Sequence, residues 1–302
     1  MGITRFIKFV LCMSIGVILS LGFGEESMDN KEISEDLRLG MELYAQGAYE
    51  DSLRHLQLVL TKTIYYPNAR SAAMVIFRIW KKGKENPLLF KMDDAVLENS
   101  LRTLRRFEEK KEPFGTSCLS IGHDAEIWQA HLLGQYFDIK KLPKEVIRQK
   151  ALIRSVYDKV IKESRPPIHL KNQLDLYREF INASLDLAES HITVSDKSGC
   201  EIALQDLEIF LKETWEKQTQ LSDYPLPIHQ LTLGVEVPLR MAKCYEALGG
   251  EGRRKELIEK AKKNWNSFKQ NNAAPSADTV EKMKEMEMTW KVLAEQTPTR
   301  TP

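Results

Sequence analysis

LGMELYAQGAYEDS, residues 39–52, is the stretch whose reading decides how this chain folds. Leu39 and Leu43 fall four apart, a spacing that puts two side chains on one face of a helix. Gly47 follows where the chain must turn sharply, and Tyr49 opens a second helix that lies back on the first. Gly40 and Ser52 are small residues placed where two antiparallel helices have to approach closely, with Leu39, Leu43 and Tyr49 as the apolar contacts around them. A helix, a one-glycine turn and a second helix form the unit from which the rest is read.

Outward from this hairpin the chain reads as helix after helix. The first pair spans 34–46 and 49–63, with Leu53, Leu56, Val59 and Leu60 on one stripe of the second helix, and Tyr66-Pro67-Asn68 ends it. Residues 69–82 are apolar on most sides, as in a helix buried between neighbours, and 93–110 resume with Leu97, Leu101, Leu104 and Phe107. After an irregular stretch at 112–122, helices are expected over 124–137 and 143–164, the latter opened by a first-turn proline, Pro143. Helices over 170–191 and 200–217 make a further pair, and Tyr224-Pro225-Leu226-Pro227 punctuates before the next. A last helix over 276–295 closes the series. No window alternates apolar and polar residues in the manner of a sheet strand.

The spacing in 39–52 resembles one tetratricopeptide repeat: a leucine-glycine pair, a large apolar residue, a turn glycine, an aromatic and a small residue in that order. The likeness covers 33–66 and returns over 236–265, where Leu239, Ala242, Tyr245, Leu248 and Gly249 lead into Arg254, Leu257, Ile258 and Ala261. It has departures. Asp36 stands where that family usually has tryptophan, Ala242 replaces the glycine, and Arg254 occupies a position that favours a small side chain. The resemblance implies an all-α fold, an α-solenoid of five antiparallel helix pairs with a C-terminal closing helix; a compact helical bundle is the rival arrangement. It also implies a concave groove lined by the first helix of each pair. The groove positions fall on Ser34, Leu37, Met41, Tyr44 and Ala45 in the first match, and on Glu236, Leu239, Lys243, Glu246 and Ala247 in the last. Met41 and Tyr44 either receive a partner or pack on the neighbouring helix. The function expected is a non-enzymatic scaffold that binds a protein or peptide segment.

Residues 1–24 read as a secretory signal: Arg5 and Lys8, then an uncharged, mostly apolar run from Phe9 to Phe23, then Gly22-Phe23-Gly24 for cleavage after Gly24. The run is short of the ~20 residues that a spanning helix needs. The expectation is therefore an exported protein, periplasmic or secreted, and a membrane-tethered one if the segment is kept. A polar lead over 25–32, the helical domain over 33–296 and a Thr/Pro-rich tail over 297–302 complete the plan. The whole chain carries a net charge of +1, and loss of the signal removes two basic residues and no acid, so nothing in the bulk charge points to nucleic acid.

Chemistry is sparse. Of four cysteines, Cys118, Cys200 and Cys244 remain after the expected cleavage, an odd number for an exported chain. Cys244 lies in a helical pattern and reads as a small buried hydrophobe, whereas Cys118 and Cys200 both follow loop-like sequence and could pair. Such a bond would close about 82 residues and, on chain entropy alone, stabilise by roughly 4–5 kcal/mol. The stretch 112–124 (EPFGTSCLSIGHD) holds the one cluster with a nucleophile and a base, Cys118, Ser117 or Ser120 with His123. It has no Gly-x-Ser-x-Gly elbow, because Leu119 stands where the second glycine belongs. The six histidines are dispersed with no His-Glu-x-x-His, and no glycine-rich phosphate loop is present, so no metal and no cofactor is expected. The basic stretch around Arg102, Arg105 and Arg106 is offset by Glu108 and Glu109. A second reading, a small-molecule or glycan-binding helical protein, would use tryptophans such as Trp128 for stacking.

Overall fold

The computed structural model of the chain describes residues 28–88, 90–114, 118–163, 170–215, 230–271 and 277–295. The expected signal and tail lie outside them. The described residues form eleven α-helices and no strand, and the chain divides into two compact units, Met1–Thr103 and Leu104–Pro302. The fold is all-α. Within each unit, helices adjacent in sequence pack on one another in the solenoid-like succession that the repeat spacing implies.

The first unit contains α1 (Met28–Gln46), α2 (Tyr49–Lys62), α3 (Tyr66–Glu85) and α4 (Asp94–Arg102). The α1–α2 hairpin closes at Gly47, whose φ of +83° is left-handed and open to glycine at little cost. Ser52 Oγ donates to the Gly40 carbonyl at 2.6 Å in the buried seam. A Cβ on Gly40 would lie 2.9 Å from Leu56, which is fully buried, so the close approach depends on the bare backbone. α1 starts at Met28, earlier than the sequence suggests, because Ile33 is buried and its helix extends back through the acidic lead.

Tyr66-Pro67-Asn68 does not simply end α2. It forms the first turn of α3, where the missing N–H of Pro67 costs no helical bond. α3 buries Ala69, Ala72, Ala73, Ile76, Ile79 and Trp80 completely, between α2 and α4 with α1 beside it. Trp80 Nε1 donates to Asp94 Oδ1 at 2.9 Å, and Lys84 pairs with the same carboxylate at 2.9 Å. The helix expected over 93–110 is shorter: α4 ends at Arg102 and runs into a 3₁₀ turn, Thr103–Phe107.

The second unit contains α5 (Ile121–Ile139), α6 (Pro143–Glu163), α7 (Leu170–Thr193), α8 (Lys197–Phe210), α9 (Val237–Leu248), α10 (Glu251–Asn271) and α11 (Ala277–Glu295). A π turn, Leu211–Trp215, extends α8, and a second, Thr232–Glu236, leads into α9. α9 packs on α7 and α8 as well as α10. Arg240 fastens it to α7, with Nε and Nη2 donating to Glu189 at 2.8 and 2.9 Å and Nη2 to Asp186 at 2.6 Å. The α9–α10 turn closes at Gly249, whose φ is +80°. α11 buries Met286 among Leu231, Leu239, Ala261 and Trp265, with Met283 and Trp290 packed alongside, while Met288 faces solvent.

Candidate functional site

The expected groove residues fall in different units. In the first, Leu37, Met41 and Tyr44 are all half-buried. Tyr44 is engaged within its own unit: its ring lies 6.0 Å from that of Tyr49, and Lys82 Nζ sits 4.9 Å above it while bonding Tyr49 Oη at 3.2 Å. Tyr44 thus packs against side chains of α2 and α3 while staying half-exposed. In the second unit Lys243 and Glu246 are exposed on α9, and Glu246 approaches Arg254 at 3.6 Å. Glu236 is paired with Lys282 of α11 at 2.7 Å. Leu239 is core, at 1% exposure.

Residues 112–114 are tied to residues 119–121. Phe114 N–H donates to Leu119 O at 2.9 Å and Ile121 N–H to Glu112 O at 2.8 Å, with Pro113 and Ser120 bridged between them. Ser117 lies outside the described residues. Ser120 is the N-cap of α5: its Oγ accepts from His123 N–H at 3.2 Å and shares a 3.0 Å bond with His123 Nδ1. Burial and the nearby Lys159 push the His123 pKa down, against the opposing pull of Glu163 and Glu126. Burial raises the Cys118 thiol, with the Asp175 charge adding to it, the reverse of what a nucleophilic thiol requires. Ser120 and His123 form a helix cap here. Because the folded pKa of His123 is depressed, its contribution is complete above about pH 6.5 and is lost as pH falls below that value. Denaturant midpoints should drop between about pH 7.5 and pH 5, and His123→Gln should show a flatter profile over that range.

Cys118 and Cys200 do not pair, and in this structure Cys244 is a thiol as well. Cys118 packs near Val160, Leu176 and Phe180, whereas Cys200 turns into a different cluster with Leu204, Met241 and Cys244. The loop-like sequence before Cys200 is the first turn of α8, capped by Asp196, and that turn aims the thiol inward. The tryptophans with described side chains are mostly core: Trp80 and Trp265 are buried and Trp290 packs on the last cluster, while Trp128 is half-buried against His131.

A concave site that sequence reading missed lies in the second unit. A cleft of about 780 Å³ opens between the end of α8, the π turn leading into α9, and one face of α10. Its floor is apolar, including Leu233, Val237, Met241 and Leu257, and its rim carries Lys212, Gln230, Lys260, Asn264, Ser267 and Asn271. Both acids in the cleft are committed to Arg253. It donates to Glu208 from Nε and Nη2 at 3.0 and 2.9 Å and to Glu256 from Nη1, and Tyr245 Oη adds a 3.0 Å bond to Glu208. Burial, then Glu208, pushes the Tyr245 phenol up to about 12, so it remains a donor. Arg253, Lys212 and Lys260 together outnumber the two acids, so the lysines set the sign of the cleft. Asn264 Nδ2 donates to Gly234 O at 2.8 Å, in the turn where the wider π ladder interrupts the regular helical pairing. No periodic sequence signal marks a π turn, which is why this site was not legible.

Among the described residues no group of three His, Cys, Asp or Glu is placed to hold a metal ion, and no helix is long and apolar enough to cross a membrane. No family model and no solved structure matches the chain. The chain is similar to a tRNA modification GTPase, MnmE, of Sulfurimonas denitrificans, at 25% identity over 237 residues, which cover 71% of the chain and 50% of that protein. It thus spans about half the length of the curated relative it matches.

Proposed function

We propose that the chain is an exported, non-enzymatic adaptor of tetratricopeptide-like construction that holds a short peptide segment in the cleft along α10. The observation that carries this is the shape of the lining. Arg253, Glu256, Leu257, Lys260, Asn264, Ser267 and Asn271 follow one face of α10 over about 27 Å, at 1.5 Å per residue. A trough of that length takes about eight residues of extended chain at 3.3 Å each. Apolar side chains of the peptide meet Leu233, Val237 and Leu257, the rim amides read its backbone, and an acidic residue meets Lys212 and Lys260. A preformed trough between packed helices avoids much of the ordering cost of binding. Export rests on the signal-like residues 1–24.

GTP hydrolysis is not carried over from MnmE. The chain has no Gly-x-x-x-x-Gly-Lys-Ser/Thr, and its likeness leaves half of that protein unmatched. The volume of the cleft also suits a small organic ligand, the second reading. A screen of fluorescent octapeptides by anisotropy separates the two. Apolar peptides with one acidic residue should bind, and Lys212→Glu with Lys260→Glu should weaken them by about tenfold or more with helicity unchanged. Equal affinity in the double variant would remove the cleft from the account, and binding of small amphiphiles but of no peptide would favour the second reading.

A further inference from the structure

Cys200 and Cys244 are each at 0% exposure in one cluster of buried side chains, near enough for the charge of one thiol to act on the other. They come from different helices, Cys200 from the first turn of α8 and Cys244 from the last turns of α9, and these helices pack together. Their surroundings are apolar: Leu204, Leu207, Met241 and Ala242 belong to the same cluster. No third ligand accompanies them, since among the described residues no group of three metal-binding side chains exists. Two buried thiols in one apolar cluster between packed helices, in a chain with a signal-like N-terminus, are placed to react with each other.

We infer that Cys200 and Cys244 form a disulfide that staples α8 to α9, made during folding by exchange with a disulfide oxidant such as oxidised glutathione or a thiol–disulfide oxidoreductase. One protein thiolate attacks a sulfur of the oxidant, giving a mixed disulfide and releasing the first thiol. The other protein thiolate attacks the mixed disulfide and releases the second. Two protein thiols lose two hydrogens and two electrons, and the oxidant disulfide becomes two thiols.

The reaction belongs to the folding chain because the folded site resists it. Burial and the neighbouring sulfur push the Cys244 thiol up to about 12, and burial raises Cys200 as well, so little thiolate exists once the helices have docked. No surface admits the oxidant at 0% exposure. The same closure protects the finished bond from reduction. Cys118, half-buried in another cluster, is left as the odd thiol.

The test is oxidative refolding of the full chain, reduced and denatured, into oxidised glutathione, followed by alkylation and peptide mapping without reductant. The expected product links the peptides that contain Cys200 and Cys244, and it melts roughly 8 °C above the reduced protein. Folded, reduced protein given the same oxidant should form the link at least about tenfold more slowly. Cys244→Ala should lose both the link and the reductant-dependent shift, and Cys118→Ser should keep both. A link between Cys118 and Cys200, or recovery of Cys200 and Cys244 both alkylated after oxidative refolding, would overturn the assignment. Neither outcome depends on whether the α10 cleft binds a peptide.

Discussion

Trp80→Ala is expected to destabilise the first unit by about 4 kcal/mol, enough to unfold a marginal helical array. Trp80 is fully buried, with its ring 5.7 Å from that of Phe77, and it is the largest side chain among those with no exposed surface. Truncation leaves a void that α3 cannot collapse to fill, since Ala72, Ala73 and Ile76 on the same helix are also fully buried. The indole N–H makes a separate, smaller contribution through Asp94. Because Lys84 also pairs with Asp94, the carboxylate keeps a partner when the indole is lost. Trp80→Phe therefore isolates that bond and should cost only ~1–2 kcal/mol. Thermal melts followed by far-UV circular dichroism of the three proteins check the order. Equal losses for Phe and Ala would mean that the hydrogen bond, not the packing, holds α3 to α4.

Gly122→Ala is the second large effect, and here the added atom does the damage. A Cβ at Gly122 would lie 2.2 Å from the Glu108 carbonyl oxygen and 2.9 Å from that of Lys110. Both are backbone atoms, so no side-chain rotation relieves the overlap. Gly122 N–H also donates to Lys110 O at 2.9 Å, and a shift that admits the methyl lengthens that bond. Overpacking of this kind costs about 3 kcal/mol, against ~1 kcal/mol gained in helix propensity, so the net loss is ~2 kcal/mol. Gly252→Ala is the matched control. It lies in α10 with nothing within 4 Å of the added carbon, and should stabilise by up to about 1 kcal/mol. Denaturant titrations of the two variants should move in opposite directions. A stable Gly122→Ala protein would show that residues 108–110 yield more easily than their bonds suggest.

The helices were legible where one cause dominated. Gly47 and Gly249 had to turn left-handed between apolar stripes, and both hairpins close there. Pro143 opens α6 at the residue expected, and α11 ends at Glu295, where the last helix is expected to end. Where a segment admitted two roles, sequence chose only one. Tyr66-Pro67-Asn68 reads as a stop for α2, yet a proline is equally at home in the first turn of the next helix. Lys-Ser-Gly before Cys200 reads as loop, although Asp196 caps it into α8 with its carboxylate accepting from Gly199 N–H at 3.0 Å.

The candidate site was less legible than the fold. Family positions carried onto Tyr44 and Glu236 say nothing of Lys82 and Lys282, 38 and 46 residues away in sequence, which contact those side chains in the fold. Arg254, odd for a repeat that favours a small residue, is buried and answered by Glu246 and Glu251. Pairings of that kind belong to the packed chain, and spacing alone does not contain them.

The turns Leu211–Trp215 and Thr232–Glu236 run their hydrogen bonds five residues apart where the rest of each helix runs them four apart. Such a turn holds one residue beyond what the ladder needs, so it amounts to an insertion already absorbed. An ordinary helix that loses a residue rotates everything beyond it by about 100° and turns its buried face toward water. Loss of one residue within the turn at 232–236 instead restores the regular ladder and keeps Leu231 in phase with the buried face of α9. That turn is therefore a place where the chain can shorten by a single residue without repacking α9, and the change would free the amide of Asn264 from the carbonyl it now holds.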